Sequence, residues 1–517
     1  MTAIDNDASE NPGSPDDALL KTGRPPSYLD AIAPLIVLTV LVSGSVALFG
    51  LHAMNGPLQV AMMLSAMVAS IIILKNGHSW DSIAEASRRG VSSVVSAIFI
   101  LLAVGALIGT WNMAGTIPTL VYYGLSMIHP NWFYVASLVV CAAISLGIGS
   151  SWTTVGTIGI GLVGLSTLAG VSPAITAGAV VSGAYTGDKL SPLSETTILA
   201  AQLSKNDLYV HLRHQAWVSV PAFLIAAICL TILGLSDRSL GIDQNLMDSE
   251  LLALDQLFWI TPLNLLPLLL LVALSIRKVP ASLAVMTAAL FAGILACFTQ
   301  PQAVLVAFPE AAGGLDYYIK AVWQVIATGY VSDTGIVPVD ELLSRGGMAS
   351  MLLTIWLIIA ALAFGSVLDE FGFLSKLVTP ILTRAKSTGS LIATSVGTAI
   401  GLNIVTADQY VAVVLPLRLF KVEFEKRSLA TKNLSRVVSN GGIVTSPLIP
   451  WNSCGAYMAA VMGVPTLVYL PYAIFNYVSP MLDILYGYTG FKIARITDEP
   501  PAPTEFAAEP VHQLRAP

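Results

Sequence analysis

The sequence predicts an all-α polytopic membrane protein, on three observations. Hydrophobic residues make up 55% of its 517 positions, and Asp, Glu, Lys and Arg only 11%, where a soluble domain carries roughly 25% charge. Mean hydropathy is +0.76. Eight windows, 31–51, 58–74, 91–110, 216–235, 258–275, 282–298, 349–368 and 466–486, approach the length that crosses a bilayer, about 20 apolar residues. So little charge cannot cover a water-soluble surface, which excludes a soluble multidomain enzyme and a disordered protein.

The elements follow in order. Residues 1–29 are polar, hold Asp5, Asp7, Glu10, Asp16 and Asp17, and lack the basic-then-apolar pattern of a secretory signal; a disordered cytoplasmic tail is expected. Two spans and a cytoplasmic loop fill 30–90. A first repeat is expected over 91–235, an outside loop and linking spans over 236–348, a second, inverted repeat over 349–490, and a cytoplasmic tail over 491–517. From Val91 to Gly187 there is no Asp, Glu, Lys or Arg, yet Gly, Pro, Ser and Thr interrupt the run. Plain crossing helices account for it poorly.

Basic loops stay cytoplasmic. Lys21 and Arg24, then Lys75, Arg88 and Arg89, Lys205 and Arg213, Arg277 and Lys278, Lys376, Arg384 and Lys386, and Lys421 to Arg436 can all lie inside together. The acidic segment 237–255 suits the outside, and both termini then face the cytoplasm. On this count 91–110 runs outward and 349–368 inward. Two polar breaks also recur at one offset: Gly187-Asp188-Lys189-Leu190-Ser191-Pro192-Leu193 lies 255 residues before Gly442-Ile443-Val444-Thr445-Ser446-Pro447-Leu448, and Ser151-Trp152-Thr153-Thr154 the same distance before Thr406-Ala407-Asp408-Gln409. Inverted repeats with discontinuous helices and re-entrant hairpins are how many secondary transporters build a site at the membrane midplane.

The first break, 183–197, packs Asp188, Glu195 and the hydroxyls of Ser191, Ser194, Thr196 and Thr197 between apolar segments. Pro192 frees backbone carbonyls, and oxygen ligands suit a hard cation. A carboxylate at membrane depth usually marks function; the alternative is an ordinary polar loop. The second break, 444–453, offers Thr445, Ser446, Asn452 and Ser453 around Pro447 and Pro450, as a discontinuous helix or else a surface turn. Asp408 stands between the apolar runs 390–402 and 411–417, with Lys386 and Lys421 beyond them. That pattern fits a hairpin entered from the cytoplasm with Asp408 at its tip, or two crossing helices with Asp408 outside. Lys189 is a charge partner for Glu195 or a place-holder for a cation.

Other features carry less. Cys141, Cys229, Cys297 and Cys454 have no Cys-x-x-Cys spacing and read as packing residues. His211 and His214 bracket Arg213 in an expected cytoplasmic loop and read as solvated charge, as do Asp333, Asp369 and Glu370. Gly159 to Gly164 fits the dinucleotide fingerprint without the strand that motif requires, so close helix packing explains it. The net charge of −6 implies no nucleic acid.

Gly183 to Thr197 closely resembles the signature of the NhaC family of sodium/proton antiporters. Gly105-Ala106-Leu107-Ile108-Gly109-Thr110-Trp111, Gly115-Thr116-Ile117-Pro118 and Thr445 to Tyr457 resemble that family too. The blocks lie between about residues 85 and 480, leaving out the tails and first two spans. The resemblance implies a cytoplasmic-membrane secondary transporter that exchanges Na⁺ for H⁺, without a cofactor; related members exchange malate and lactate with coupled H⁺ and Na⁺. Glu195 stands where Asp is frequent in the family.

A desolvated carboxylate needs either a proton or a cation, so the two compete for the same oxygens. Na⁺ is expected at Asp188, Glu195 and Asp408, with Ser191, Ser194, Thr196, Thr197, Thr406, Thr445, Ser446 and Asn452 as oxygen ligands. The expected partners are Na⁺, H⁺, the lipid bilayer and a second copy of the chain. A small organic acid is the alternative cargo, and a passive channel or membrane-embedded enzyme the third reading.

Overall fold

The computed structural model describes residues 23–92, 94–127, 130–236, 254–277, 279–308, 314–333 and 335–496. Residues 1–22 and 497–517 of the expected tails, and 237–253 of the acidic loop, lie outside them. The described residues are helical, with no strand beyond an isolated bridge between Leu429 and Arg495.

Two long helices, α1 (Tyr28–Phe49) and α2 (Pro57–Lys75), are followed by the amphipathic α3 (Trp80–Ser92). Then come α4 (Val95–Met113), α5 (Thr116–Met127), α6 (Phe133–Ile148), α7 (Ser151–Leu168), α8 (Pro173–Leu190), α9 (Glu195–Leu203) and α10 (Leu208–Ser236). The middle of the chain supplies α11 (Pro262–Ile276), α12 (Ala281–Thr299), α13 (Pro301–Ala307), α14 (Gly314–Thr328) and α15 (Val337–Leu343). The last third holds α16 (Leu352–Glu370), α17 (Phe373–Arg384), α18 (Thr388–Thr406), α19 (Val411–Lys426), α20 (Thr431–Val438), α21 (Ser453–Met462), α22 (Thr466–Tyr469) and α23 (Ile474–Thr489).

The order α4 to α10 recurs as α16 to α23. Each helix from α16 to α22 starts 255 to 260 residues after its counterpart. In both halves a long helix precedes a 12-residue one, then a two-armed hairpin, then a helix that breaks and resumes. At about 1.5 Å per residue, α5 and α17 reach roughly 18 Å and are too short to cross. Both hairpins turn through a left-handed residue, Gly149 at φ 77° and Ala407 at φ 56°.

Eight helices among the described residues are long and apolar enough to cross a membrane, but not the eight expected. Window 258–275 became the short α11, and 466–486 breaks at Leu470–Tyr472 between α22 and α23. In their place stand α7 and α18. Hydropathy undervalued α7 because its Gly, Ser and Thr face protein, with 83% of it buried, and undervalued α18, 44% buried, because Gly, Ser and Thr punctuate its length. Apolar run 390–402 continues through Asn403 to Thr406 for the same reason, so the first hairpin arm is 19 residues long. The guanidinium of Arg427 closes this hairpin's base by donating to the carbonyls of Ser387, at 2.8 Å, and Ala385.

Close packing aligns the first break. Gly183 and Gly187 of α8 press on α6, where a Cβ at either would overlap the carbonyl of Leu138 or Ala142. Small residues at this spacing let helix backbones approach.

Candidate ion-binding site

The two hairpin tips and the two breaks gather buried polar residues. Asp188, in the last turn of α8, is 7% exposed. Its Oδ2 accepts from the Ser151 N–H at 3.1 Å and the Ser151 hydroxyl at 2.7 Å. Ser151 opens α7, so the carboxylate sits where unpaired N–H groups and the helix dipole favour negative charge. Asp408, at the tip of the second hairpin, is 3% exposed and its Oδ1 accepts from the Tyr410 N–H at 2.7 Å, at the start of α19. Each half thus places one buried carboxylate at the N-terminus of its second hairpin arm. Neither is ion-paired among the described residues.

At the first break the chain leaves α8 extended at Ser191, whose hydroxyl accepts from the Leu193 N–H at 3.2 Å. Ser194 caps α9, accepting from Thr197 N–H at 3.3 Å and lying 3.1 Å from the Thr196 hydroxyl. Thr197 donates to the Lys189 carbonyl at 3.4 Å. At the second break Thr445 and Ser446 donate to the carbonyls of Gly441 and Ile443, at 2.5 and 2.7 Å. Asn452 caps α21 through the Cys454 N–H at 3.0 Å and donates to the Asn403 side chain at 3.1 Å. Thr406 donates to the Leu402 carbonyl at 2.9 Å. A hydroxyl that donates to a carbonyl keeps lone pairs for a cation.

The turn of the second hairpin meets the start of α21, where the Ser453 N–H donates to the Ala407 carbonyl at 2.9 Å. Tyr185 adds a hydroxyl 3.5 Å from Ser446. Trp152, beside Ser151, stacks on Tyr457 at 4.1 Å between centroids, and the Tyr457 hydroxyl donates to the Trp152 carbonyl at 2.8 Å. The tip of the first hairpin is thereby fastened to α21.

Several placements differ from expectation. Glu195 is exposed at the first turn of α9 rather than buried, because a residue following the N-cap points back past the helix end. The expected shell of Asp188, Glu195 and Asp408 around one Na⁺ is also not preformed: among the described residues no three His, Cys, Asp or Glu side chains are grouped closely enough to hold a metal ion. Lys189, next to Asp188, points away from Glu195 and donates to Ser479 of α23 at 3.1 Å; adjacent helical residues diverge by about 100°.

Lys189 leads into a buried network that sequence reasoning missed. Ser479 donates to the Asn440 side chain at 2.6 Å, and Asn440 donates to Asp483. Arg436 Nε donates to Asp483 Oδ1 at 2.8 Å, with both side chains 0% exposed. Arg436 Nη1 reaches His214 Nε2 and the Lys492 carbonyl, at 2.8 and 2.9 Å. His211 Nδ1 meets the Ser435 hydroxyl at 2.8 Å. Arg436, His211 and His214 are therefore not solvated loop charges: α10 begins at Leu208, and its 3.6-residue period turns His211 and His214 inward and Arg213 outward. Asp483 was findable as the sole acid inside window 466–486.

A sequence model of the Na⁺/H⁺ antiporter family matches residues 28–201 and 183–491, taking in the first two spans as well. The Na⁺/H⁺ antiporter NhaC of Alkalihalophilus pseudofirmus is 37% identical over 440 residues, 85% of this chain and 91% of that protein. The malate-2H⁺/Na⁺-lactate antiporter of Bacillus subtilis is 34% identical, covering 91% and 96%. The arginine/ornithine antiporter ArcD of Halobacterium salinarum is 32% identical, covering 90% and 93%. Both hairpins and both breaks fall within these matches, and the chain belongs to the Na⁺/H⁺ antiporter family, membrane transporters rather than enzymes.

Proposed function

We propose that this multi-pass membrane protein exchanges Na⁺ for H⁺ by letting the two compete for Asp188 and Asp408. The observation that carries the reading is the pair of buried carboxylates without an ion-pair partner among the described residues, one per half, each at a helix N-terminus. A carboxylate removed from water without a cationic partner is costly, so each must take a proton or a metal cation. Ser151, Ser191, Ser194, Thr196, Thr197, Thr406, Thr445, Ser446 and Asn452 supply further oxygens, and Glu195, at the open side, draws cations toward them.

Residues 91–235 and 349–490 act as two inverted repeats, joined by 236–348, with both termini cytoplasmic and the protein in the cytoplasmic membrane. The second reading, exchange of a small organic acid, draws support from the malate/lactate and arginine/ornithine relatives. It needs a cation to meet the carboxylate of the cargo, and the Lys189 ammonium faces Ser479 instead, which favours inorganic cations.

Purified protein in liposomes with a trapped pH-sensitive dye tests both. Na⁺ added outside, with no organic solute, should give a saturable pH change, and Asp188→Asn should remove it. A dye that stays silent until malate or lactate is added would hand the function to the organic-acid reading.

A further inference from the structure

Three of the long apolar helices have an end at one surface cavity. α1 starts at Tyr28, α2 stops at Lys75 and α16 stops at Glu370. Among them lies a cavity of about 570 Å³ lined by Arg24, Tyr28, His78, Glu370, Ser375 and Lys376 with adjoining residues, roomy enough for a small-molecule headgroup. Its walls come from distant stretches of the chain, 23–28 and His78 on one side and 370–379 on the other. The ends of spans mark the level of the lipid headgroups, and the exposed Tyr28 and Trp80 of these segments are side chains that favour that level. The chain at the rim is held in place. The Arg24 N–H donates to the Asn76 carbonyl at 2.9 Å, and a Cβ on Gly23 would overlap the His78 ring, which stands edge-on to Phe371 at 4.8 Å between centroids.

The charges around the cavity are unequal. Glu370 is paired with Arg89 at 2.8 Å, and Asp30, in the first turn of α1, with Lys75 at 3.4 Å. Arg24 and Lys376 make no ion pair among the described residues. The Lys376 ammonium lies 4.8 Å from the centre of the Tyr28 ring, which orients the cation without neutralising it. Two cations without counter-charges, beside the Ser375 and Tyr28 hydroxyls, suit a phosphate ester.

We infer that this cavity binds the phosphate headgroup of an anionic phospholipid, with Arg24 and Lys376 as its charged ligands, and that the bound lipid ties α1 and α2 to α16 and α17. The surface beside the rim selects a lipid over free phosphate. Leu29, Ile32, Ile36 and Val40 are all exposed, and their spacing puts them on one face of α1, so acyl chains have an apolar stripe that begins one residue after Tyr28. On the orientation proposed above the cavity faces the cytoplasmic leaflet, where anionic lipids attract Lys and Arg near the surface.

The experiment takes the full chain, stripped of lipid in detergent, and titrates it with dioleoylphosphatidylglycerol, dioleoylphosphatidylcholine or inorganic phosphate while tryptophan fluorescence reads the melting temperature. Phosphatidylglycerol should raise that temperature saturably, and the other two should not. Arg24→Gln should raise the half-saturating phosphatidylglycerol concentration about fivefold, and Arg24→Gln with Lys376→Gln about 25-fold, the strength of basic residues near an anionic membrane. Arg277→Gln, which removes an exposed charge at the end of α11 outside the cavity, should change nothing. Equal binding by the native chain and the double variant overturns the inference. So does a cost of Arg277→Gln equal to that of Arg24→Gln, which would reveal diffuse attraction instead of a site. A saturable response to inorganic phosphate that Arg24→Gln weakens would make the cavity a free-anion site and overturn the lipid, and a phosphatidylcholine response equal to that of phosphatidylglycerol would remove charge from the recognition. Should the double variant fail to fold, Arg24→Gln decides, because that exposed side chain has no ion pair to lose. None of these outcomes depends on which ion the protein carries.

Discussion

The two halves of the molecule repeat an arrangement of helices but carry their acids on different segments. In the first half the acid, Asp188, is on the broken helix and the hydroxyl, Ser151, is on the hairpin tip. In the second half Asp408 is on the hairpin tip, and the break facing it is neutral, with Thr445, Ser446 and Asn452. What both halves keep is a carboxylate against the first turn of the second hairpin arm. The helix N-terminus is what needs an anion, and either neighbouring segment can deliver it.

That comparison is most easily broken at the acids. Asp188→Asn and Asp408→Asn should each lower Na⁺-dependent proton flux more than about a hundredfold, since each removes a charge from a site water does not reach. A Asp408→Asn protein with near-native flux would show that the halves are not functionally equivalent. Next in size, Ser151→Ala removes both the hydroxyl and its charge-assisted bond to Asp188, worth about 1.5 kcal/mol or more. The Na⁺ concentration for half-maximal flux should rise about tenfold, and an unchanged value would mean that Ser151 does not orient the acid for the ion.

Asn403→Ala tests the neutral break. Its amide donates to Gly442 and Thr445 and accepts from Asn452, so truncation strands three partners and should cost about 1–3 kcal/mol, read as a lower melting temperature in detergent.

The smallest effect belongs at the surface. The hydrogen bonds of Arg88, with those of Arg89, hold the half-buried Glu85 carboxyl down at about 2. A depressed carboxyl contributes stability above its unfolded value, near 4.3, and loses it as pH falls toward 2. Because solvent screens a surface pair of this kind, Glu85→Gln should melt within about one degree of the native protein between pH 5 and 8. A larger change would give the Arg89–Glu370 link between α3 and α16 a structural weight that Asp188 and Asp408 do not have.

Much of the site was legible because polar residues in an apolar run are conspicuous. Asp188, Asp408 and the paired breaks stand out against segments with almost no other charge. Arg436, His211 and His214 were misread for the converse reason: near basic residues and helix ends, a buried basic side chain looks like a solvated one. Asn403, central to the second break, has no local signature, since an amide in an apolar helix is read as an interruption until its partners are known.

The sequence by itself determined that the chain is a helical membrane protein, and it marked two polar interruptions, with Asp188 and Asp408, as the place to look for its chemistry. These follow from composition and spacing, which set what each segment can bury. The tertiary structure alone decided that Ser151 serves Asp188, that Glu195 stays open and that Lys189 turns to Ser479, joining Asp483 and Arg436 in one cluster. Those partners lie from 37 to 290 residues apart in the chain, and only the packing of α7, α8, α20 and α23 brings them within a hydrogen bond.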